Sequence, residues 1–333
     1  MNSRQDRYVS YKRYLLDKYG EKAYRVAVDA GFSCPNRGAD RSRPGCAYCD
    51  EFGSRAPYQE DAGPDASKVL DKEKLKLQVE NGIEFIRKRY GARILLLYFQ
   101  AFSGTWAPPE VLRDVYDYCL SLYPFSGLIV STRPDCIDQE KADLLASYIS
   151  PHREVWLELG LQSAHNHTLR RIHRGHTVED FLQAYRLSGK KGIKRTVHLI
   201  FGLPGEGWEE IEKTVRFVAA LEPEGIKLHN LHVPRGAPLF RDYILGTVSV
   251  PCDLRHLEYV VRALELMPPD TVIQRMICDT PASRLAAPRG FMPKGEFYQR
   301  VRVELEKRNT WQGKHFPLRS GPDSRDSGQH VRF

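Results

Sequence analysis

Short apolar runs recur along the chain and predict a sheet of buried strands. They are rich in Val, Ile and Leu and barely alternate with polar residues, which is typical of strands covered on both faces. Seven such runs occupy residues 23–28, 93–99, 127–132, 154–160, 194–200, 225–233 and 271–277. Polar segments separate them, so no apolar stretch reaches the roughly 18–20 residues that a membrane span needs.

Segments with helical periodicity fill most gaps between these runs. They occupy residues 71–91, 108–123, 139–149, 177–192 and 207–222. Thr177 and Asp180 have the spacing of a capping box. Repeated strand–helix units with right-handed crossovers make a parallel sheet. We therefore predict an α/β fold, either a barrel-like sheet of six or seven units or a doubly wound open sheet, with functional loops after the carboxyl ends of the strands.

The C-terminal part of the chain has a different composition. After about residue 286 it holds mainly Pro, Gly, Arg and Ser, with one strand- or helix-like piece at 296–308. The segment from Pro317 onward reads as weakly ordered. We predict a core over residues 1–285, with an N-terminal helix and a loop at 31–53, followed by a basic, partly irregular extension over residues 286–333.

Charge and the N-terminal sequence bear on location and partners. The N-terminus is polar and lacks the apolar stretch of a signal peptide, so we expect a cytoplasmic protein without a membrane partner. The net charge is +8, and residues 1–49 and 286–333 each carry ten Lys or Arg against five Asp or Glu. This surplus indicates either nucleic acid or another polyanion as a partner, or simply a basic surface, because no run of basic residues is dense enough to decide.

Three of the seven cysteines stand apart from the others. An odd number of cysteines in a cytosolic chain does not suggest a set of disulfides. Four of them, Cys119, Cys136, Cys252 and Cys278, lie in apolar segments and read as small buried hydrophobes. The remaining three, Cys34, Cys46 and Cys49, lie in a loop rich in Gly and Pro directly after the first predicted strand, where packing does not call for cysteine.

The spacing Cys34-x11-Cys46-x2-Cys49 favours an iron–sulfur cluster over structural zinc. Structural zinc is usually bound by four Cys or His ligands, and only three are present in this loop, because the next cysteine is Cys119 and the first histidine is His152. Three thiolates with one open position suit a cubane cluster that keeps one iron free for a cofactor or substrate. Tyr48 could shield such a cluster or be an ordinary loop aromatic.

Together these residues resemble the radical S-adenosylmethionine (SAM) superfamily. Its usual spacing is C-x3-C-x2-C, and the longer first gap here is similar to the elongator-like branch, which groups with the YhcC-type family of uncharacterised radical proteins. The blocks that carry the resemblance follow in order: GFSCPNR, GCAYC, YFQAFSGTWAP, STRPDCI, WLELGLQSAHNHTLRRIHRGHT, VHLIFGLPGE and HNLHVPRGAPL. The resemblance implies a parallel (β/α)6-type partial TIM barrel.

The resemblance also implies a chemistry and its cofactors. Cys34, Cys46 and Cys49 would bind three irons of a [4Fe–4S] cluster, and the fourth iron would be chelated by SAM. Reductive cleavage of SAM would give methionine and a 5′-deoxyadenosyl radical that abstracts hydrogen from a substrate. A flavodoxin- or ferredoxin-like electron donor is the expected partner.

Polar residues at the strand ends are the expected lining of the SAM pocket. Gln100, Ser103, Gly104 and Thr105 follow the second strand, without the acidic residue usual there, and read otherwise as a polar turn. Thr132, Arg133 and Asp135 follow the third strand, although Arg133 could instead form a surface ion pair. Glu158 and Gln162 flank the end of the fourth strand, where a buried carboxylate needs a partner such as a ribose hydroxyl or an arginine.

Arginines, histidines and glycine complete the expected pocket. Either Arg171 or Arg174, beside Arg170, would clamp the methionine carboxylate. His198 and Gly202, with Leu199 and Pro204, would let backbone approach adenine, or would form a plain strand-to-helix turn. His229, His232 and Arg235 after the sixth strand are candidates for substrate contact, against the alternative of ordinary core histidines.

Three functions remain open on the sequence. One is a radical enzyme acting on nucleic acid, with transfer RNA as the leading candidate, because both chain ends are basic. No RNA-binding module and no acetyltransferase-like domain is recognisable. The second is a radical enzyme acting on a small metabolite. The third is a non-catalytic iron–sulfur or zinc sensor, which would not need so many polar strand-end loops.

Overall fold

The computed structural model describes residues 6–49, 71–278 and 280–317. The predicted loop therefore lies within the described residues only over 31–49, and the predicted weakly ordered tail lies outside them apart from Pro317. The strands are β1 (Ala23–Val28), β2 (Ile94–Phe99), β3 (Gly127–Thr132), β4 (Glu154–Gln162), β5 (Lys194–Phe201), β6 (Gly225–Asn230), β7 (Val233–Pro234), β8 (Val272–Arg275) and β9 (Leu285–Ala287).

Helices connect these strands. They are α1 (Tyr11–Tyr19), α2 (Lys72–Tyr90), α3 (Pro109–Ser121), α4 (Gln139–Ala146), α5 (Asn166–Arg171), α6 (Val178–Lys190), α7 (Trp208–Ala220), α8 (Leu239–Ile244), α9 (Asp253–Leu266) and α10 (Lys294–Lys307). No helix among the residues described is both long enough and apolar enough to cross a membrane. The predicted capping box is confirmed, because the Asp180 N–H donates to Thr177 Oγ1 at 3.2 Å and the Thr177 N–H donates to Asp180 Oδ2 at 2.7 Å.

Seven strands form one parallel sheet in the order β1-β2-β3-β4-β5-β6-β8. A doubly wound sheet would reverse its strand order part of the way across. The order here follows the chain without reversal, and the sheet is a curled partial barrel, which confirms the barrel alternative. The short strands β7 and β9 pair antiparallel outside this sheet.

Each sheet strand alternates between two buried faces. The outer face packs against the helices in a large apolar core that includes Leu95, Leu97, Val130 and Leu157. The inner face holds a smaller apolar cluster at the amino ends of the strands, which includes Leu96, Ile129 and Trp156. Beyond that cluster, toward the carboxyl ends, the inner face becomes polar.

Helix α1 closes the amino end of the partial barrel. Its Leu15 is buried in the inner apolar cluster, and Ser10 bridges to Ile273 in parallel, so that the Ile273 N–H donates to Val9 O at 2.8 Å. At the other end of the chain, α10 packs against α9 and buries Phe297, Val301 and Leu305. The division of the chain at residue 285 stays a prediction.

Candidate functional site

The cysteine loop after β1 is tied together by Arg37. The backbone N–H of Arg37 donates to Cys34 O at 3.0 Å, and its buried side chain donates through Nη2 to Cys49 O at 3.1 Å, so one residue links both ends of the loop. Gly45 has φ +78°, and a Cβ there would stand 2.9 Å from Arg37 Nε. Glycine at this position therefore provides both the left-handed backbone and the space for the guanidinium.

The sulfur of Cys46 receives hydrogen bonds from two side chains. Asn36 Nδ2 donates to Cys46 Sγ at 3.2 Å, and Arg174 Nη1 donates to it at 3.5 Å. Burial raises the pKa of the Cys46 thiol, but the Arg174 guanidinium outweighs this and the net pKa is lowered. The thiolate, which is the form that binds metal, is therefore favoured at Cys46.

Cys34 and Cys46 are buried and Cys49 is partly exposed. Of the four cysteines read as buried hydrophobes, Cys119 and Cys136 are buried, but Cys252 is exposed and Cys278 is partly exposed. Within residues 6–49, 71–278 and 280–317, no group of three or more His, Cys, Asp or Glu side chains converges as a single metal ion would require. A cubane cluster does not need such convergence, because each thiolate binds a different iron. The donor set, three thiols with hydrogen bonds to the sulfur of one, therefore fits a cluster better than a zinc ion.

The turn after β2 packs against the cysteine loop. Ala101 has φ +76° and Phe102 has φ +52°, a left-handed pair that is costly for residues with a Cβ. The Phe102 ring lies under the Arg41 guanidinium, with 4.4 Å between the guanidinium carbon and the ring centroid. The Ser103 N–H donates to Ser33 O at 3.1 Å, so this strained turn holds the two loops together.

The predicted pocket residues after β2 and β3 meet one another. Thr105 Oγ1 and Thr132 Oγ1 are 2.6 Å apart, and Thr105 Oγ1 donates to Cys136 O at 2.8 Å. The Gly104 N–H donates to Ser131 O at 2.8 Å. Gln100 lies at the start of the same turn, where its N–H donates to Val28 O at 3.2 Å.

Arg133 is a buried residue with one open donor. Its Nε and Nη2 donate to Asp135 at 2.9 and 2.7 Å, so it forms an ion pair, but its guanidinium is not at the surface as the surface ion-pair alternative expected. Arg133 is 3% exposed, whereas the Asp135 side chain is 23% exposed, so the guanidinium is buried and its partner reaches the surface. Its Nη1 is buried and has no hydrogen-bond partner among the described residues, and is thus a donor available to a bound anion.

The structure separates the two arginines that the sequence could not distinguish. Arg174 is buried and donates through Nη2 to Gly160 O at 2.8 Å, next to Cys46. Arg171 is exposed, and its Nη1 lies against Gly205 in the loop after β5. Arg170 is exposed as well. Arg174 is therefore the arginine beside the cysteine loop.

The carboxyl end of β4 is irregular. Its pairing with β5 shifts between Gly160 and Gln162, and Gln162 has φ +74° while remaining buried. A Cβ on Gly160 would stand 2.5 Å from Arg174 Nη2 and 2.6 Å from Gln162 Nε2. The bulge thus brings Gln162 next to Arg174, as expected for a pocket at the strand ends.

The remaining predicted residues lie at the ends of β5 and β6. Gly202 has φ +86°, and Pro251 fills the space where its Cβ would be, at 2.3 Å. His198 and His229 stack with ring centroids 5.6 Å apart. His232 Nδ1 lies 2.8 Å from Thr280 Oγ1, and Arg235 is exposed, its N–H donating to Arg284 O at 2.8 Å. The histidine pair is therefore closer to the interior than Arg235.

Glu158 lies at the centre of a buried polar layer inside the sheet. Its Oε2 accepts from Tyr98 Oη at 2.7 Å and from Lys227 Nζ at 2.5 Å. His198 Nε2 lies 3.2 Å from the same oxygen, and Arg25 Nη1 lies 3.3 Å from Oε1. We call these residues, with His229 and Arg275, the inner layer.

Positive charge exceeds negative charge in the inner layer. Burial raises the pKa of Glu158, but Lys227 and Arg25 outweigh it and hold that pKa well below its usual range. Burial lowers the pKa of Lys227 well below normal despite Glu158. Burial and then Lys227 lower the pKa of His198 to about 4. Burial and then His198 also lower the pKa of His229 well below its usual range, so both histidines are neutral near pH 7.

Sequence reasoning found Glu158, His198 and His229 but missed the cations around them. The missed cations are Arg25, Lys227 and Arg275, and with Tyr98 they lie within predominantly apolar runs. One sequence signal could have found them, because residues two positions apart on a strand face the same side of the sheet. Lys227 is two residues from His229, and Glu158 is two residues from Trp156 on the same inner face.

Comparison with known proteins agrees with this geometry. Residues 34–218 match the sequence profile of the Radical SAM superfamily, and residues 223–307 match a radical SAM C-terminal domain. An uncharacterised protein of Methanocaldococcus jannaschii is 33% identical over 310 residues, covering 93% of this chain and 92% of that protein. Protein YhcC of Escherichia coli is 34% identical over 277 residues, covering 82% and 84%.

A solved structure shares the fold. The archaeal Elp3 of Methanocaldococcus infernus, with residues 1–46 deleted, superposes with a TM-score of 0.66 at 19% identity and covers 87% of this chain and 64% of that one. The resemblance to the YhcC-type and elongator-like proteins is thus confirmed. The chain belongs to the radical SAM superfamily and is a radical SAM enzyme.

Proposed function

We propose that this enzyme holds a [4Fe–4S] cluster on Cys34, Cys46 and Cys49 and binds SAM beside it. The observation that carries the proposal is the pair of hydrogen bonds that Asn36 and Arg174 donate to Cys46 Sγ. When bound, the cluster supplies one electron that cleaves SAM to methionine and a 5′-deoxyadenosyl radical, which takes a hydrogen atom from the substrate. The electron comes from outside, from a flavodoxin- or ferredoxin-like donor.

The residues of this chain would bind and orient the cofactors. Asn36 and Arg174 stabilise the thiolate of Cys46 by donating to its sulfur. Arg133 offers Nη1 as a donor for the methionine carboxylate, while Asp135 fixes the plane of its guanidinium. Gln162 has a left-handed backbone conformation at the end of β4, and its side chain would be a second polar group for binding SAM.

A small molecule is the substrate class that the structure supports better than transfer RNA. Much of the N-terminal basic surplus is used within the molecule. Lys18 pairs with Glu154 at 2.6 Å, Arg25 pairs with Glu158 at 3.3 Å, and Arg41 Nη2 donates to Phe32 O at 2.9 Å. These cations are not available as a surface for RNA phosphates, which weakens the observation on which the RNA hypothesis rested.

The test is the formation of 5′-deoxyadenosine. The protein is reconstituted with iron and sulfide without oxygen, reduced and given SAM, and the products are separated by chromatography. We expect 5′-deoxyadenosine from the wild type, none above background from Cys46→Ala, and wild-type amounts from the matched control Cys252→Ala, which removes an exposed cysteine. Bound zinc with no cluster in the wild type would contradict the proposal.

The substrate class is tested with the same assay. The low-molecular-weight fraction of a cell extract and purified bulk transfer RNA are added separately. We expect the small-molecule fraction to raise the yield of 5′-deoxyadenosine and transfer RNA to leave it unchanged. Stimulation by transfer RNA alone would restore the RNA hypothesis.

A further inference from the structure

The inner layer contains a cation that has no partner among the residues the structure describes. Arg275, at the end of β8, lies opposite Lys227 in the pairing of β6 with β8. Its guanidinium has no hydrogen bond and no ion pair to any described residue, although it is partly buried. A guanidinium in such a position normally pairs with a carboxylate, a phosphate or backbone carbonyls.

The charges around Arg275 do not balance. Among the described residues of the inner layer, Arg25, Lys227 and Arg275 are cationic groups, and Glu158 is the one carboxylate. Glu158 already contacts both Arg25 and Lys227, at 3.3 and 2.5 Å. The charge of Arg275 is thus left without compensation, and partly buried charge is costly without a counter-charge.

A second group in the layer also lacks a partner. His229 Nε2 is buried and makes no hydrogen bond within the part of the chain that the structure describes. The His229 ring stacks on His198, and both rings remain partly exposed, as does Arg275. The layer is therefore open on the side of β5, β6 and β8, and closed at the amino end by the inner apolar cluster.

We propose that the open side of the inner layer binds an anionic group of the substrate, a carboxylate or a phosphate, with Arg275 as its main partner. Arg275 supplies paired N–H donors in the geometry that suits such an anion, and the neutral His229 supplies a further polar group beside it. The substrate class is a small molecule that bears a carboxylate or a phosphate. This inference rests on the proposed function, because it assigns the layer to the substrate of that radical chemistry.

Arg275 and the SAM site are distinct in position. Arg133, the donor proposed for the methionine carboxylate, directly follows β3, and Arg174 contacts Cys46 and Gly160 beside the cysteine loop. Arg275 is on β8, across β6 from the strand that carries His198. The methionine carboxylate and the substrate anion would thus have separate arginines.

The test measures anion binding to the full chain with its reconstituted cluster, without SAM. Thermal unfolding is followed at constant ionic strength against malonate and, separately, inorganic phosphate. We expect saturable stabilisation of the wild type, affinity weakened roughly tenfold or more in Arg275→Gln, and wild-type affinity in Arg186→Gln, which removes an exposed arginine of α6. Tighter binding of malonate indicates a carboxylate substrate, and tighter binding of phosphate indicates a phosphorylated one.

Equal affinity in all three proteins, or saturable binding of neither anion, would overturn the proposal. If Arg275→Gln does not fold, Arg275→Lys replaces it. Lysine keeps the charge but not the paired donors, so weaker binding is expected and unchanged binding overturns the assignment. The assay does not depend on SAM cleavage, so its failure leaves the proposed function standing, and failure to form 5′-deoxyadenosine leaves an anion-binding result standing.

Discussion

Two glutamates on the inner face of β4 differ in how completely they are paired. Glu154, at the closed amino end, uses both oxygens: Oε2 accepts from Tyr14, Lys18 and Lys194 at 2.8, 2.6 and 2.8 Å, and Oε1 accepts from Tyr19 at 3.3 Å. Glu158, four residues further, accepts hydrogen bonds only on Oε2, and its buried Oε1 accepts none from the described residues.

The same residue type on the same strand thus serves two purposes. Around Glu154, α1 supplies three of the four partners and closes the sheet. Around Glu158, the partners come from other strands, and several polar atoms remain unpaired. Natural proteins keep unpaired buried polar groups mainly where a ligand or a reaction uses them. The closed end therefore stabilises the fold, and the open end keeps groups available for ligands.

The largest expected effect comes from removing each glutamate in turn. Glu158→Ala leaves Lys227 and Arg25 buried without their carboxylate, so the free energy of unfolding should fall by about 3–5 kcal/mol. Glu154→Ala should cost about 1–3 kcal/mol, because side chains of Lys18 and Lys194 are 35% and 34% exposed and can be hydrated. Urea unfolding measures both. A greater loss from Glu154→Ala would contradict the comparison.

Substituting one glycine at each end of the inner face should affect stability in one case and SAM binding in the other. Gly127 lies at the closed end, where a Cβ would stand 2.3 Å from Leu96 Cδ2, and Gly127→Ala should cost about 1–3 kcal/mol of stability through overpacking. Gly160→Ala would displace Arg174 and Gln162, and should weaken SAM binding roughly tenfold or more. Equilibrium binding of SAM to each reconstituted variant measures the second effect. Wild-type affinity for SAM in Gly160→Ala would mean that Arg174 and Gln162 do not belong to the SAM site.

Acid titration should distinguish the two ends. The folded-state pKa of His198 is lowered to about 4, so its contribution to stability is complete above pH 6.5 and is lost as pH falls from 6.5 to 4. His198→Gln should reduce the slope of unfolding free energy in that window by up to about 1.4 kcal/mol per pH unit. The charged and titratable groups that face this histidine are Glu158, Lys227, His229 and Arg275.

Glu154 should respond in a lower pH range. Burial raises its pKa, but Lys18 and Lys194 outweigh burial and the net pKa is lowered from 4.5. Its stabilisation is present above pH 4.5 and is lost as pH falls below that value. Between pH 5 and 6.5, Glu154→Gln should therefore leave the pH dependence of the unfolding free energy as in the wild type. His198→Gln should change it in the same range. If Glu154→Gln and His198→Gln changed the pH dependence of the unfolding free energy in the same way, the distinction between the two ends would be wrong.

The smallest effect is expected on the outer face of α1. Arg13 pairs with Asp17 at 2.6 Å, but the two side chains are 54% and 55% exposed. Because both charges are solvated, Arg13→Gln should leave the free energy of unfolding close to that of the wild type. A clear loss of stability in urea unfolding would mean that α1 stabilises the fold through its outer charges as well as through inward residues such as Leu15.

Much of the fold could be predicted because parallel strands that are buried on both faces must be apolar. The runs at 23–28 and 127–132 coincide with β1 and β3, and the capping residues Thr177 and Asp180 mark the start of α6. The cysteine loop was evident because packing does not call for three cysteines in a polar loop. The periodicity did not reveal α9, although it buries eight residues.

Only part of the inner layer could be predicted, because its cations meet Glu158 and the two histidines only through strand register. A bulge between Ile226 and Lys227 places Arg275, and not Gln274, opposite Lys227. Nor does the sequence reveal the turn at Ala101 and Phe102, since neither residue favours a left-handed backbone. Tertiary packing, including the cation over the Phe102 ring, imposes that conformation.

The most direct test of the central claim asks whether the open end holds a cluster with one iron free for SAM. The reconstituted, reduced enzyme is mixed with SAM that carries ¹⁵N in its amino group, and electron–nuclear double resonance is recorded on the cluster signal. We expect a nitrogen coupling in the wild type and in Cys252→Ala, which leaves the cysteine loop intact. A reduced cluster whose signal shows no coupling to labelled SAM would contradict it.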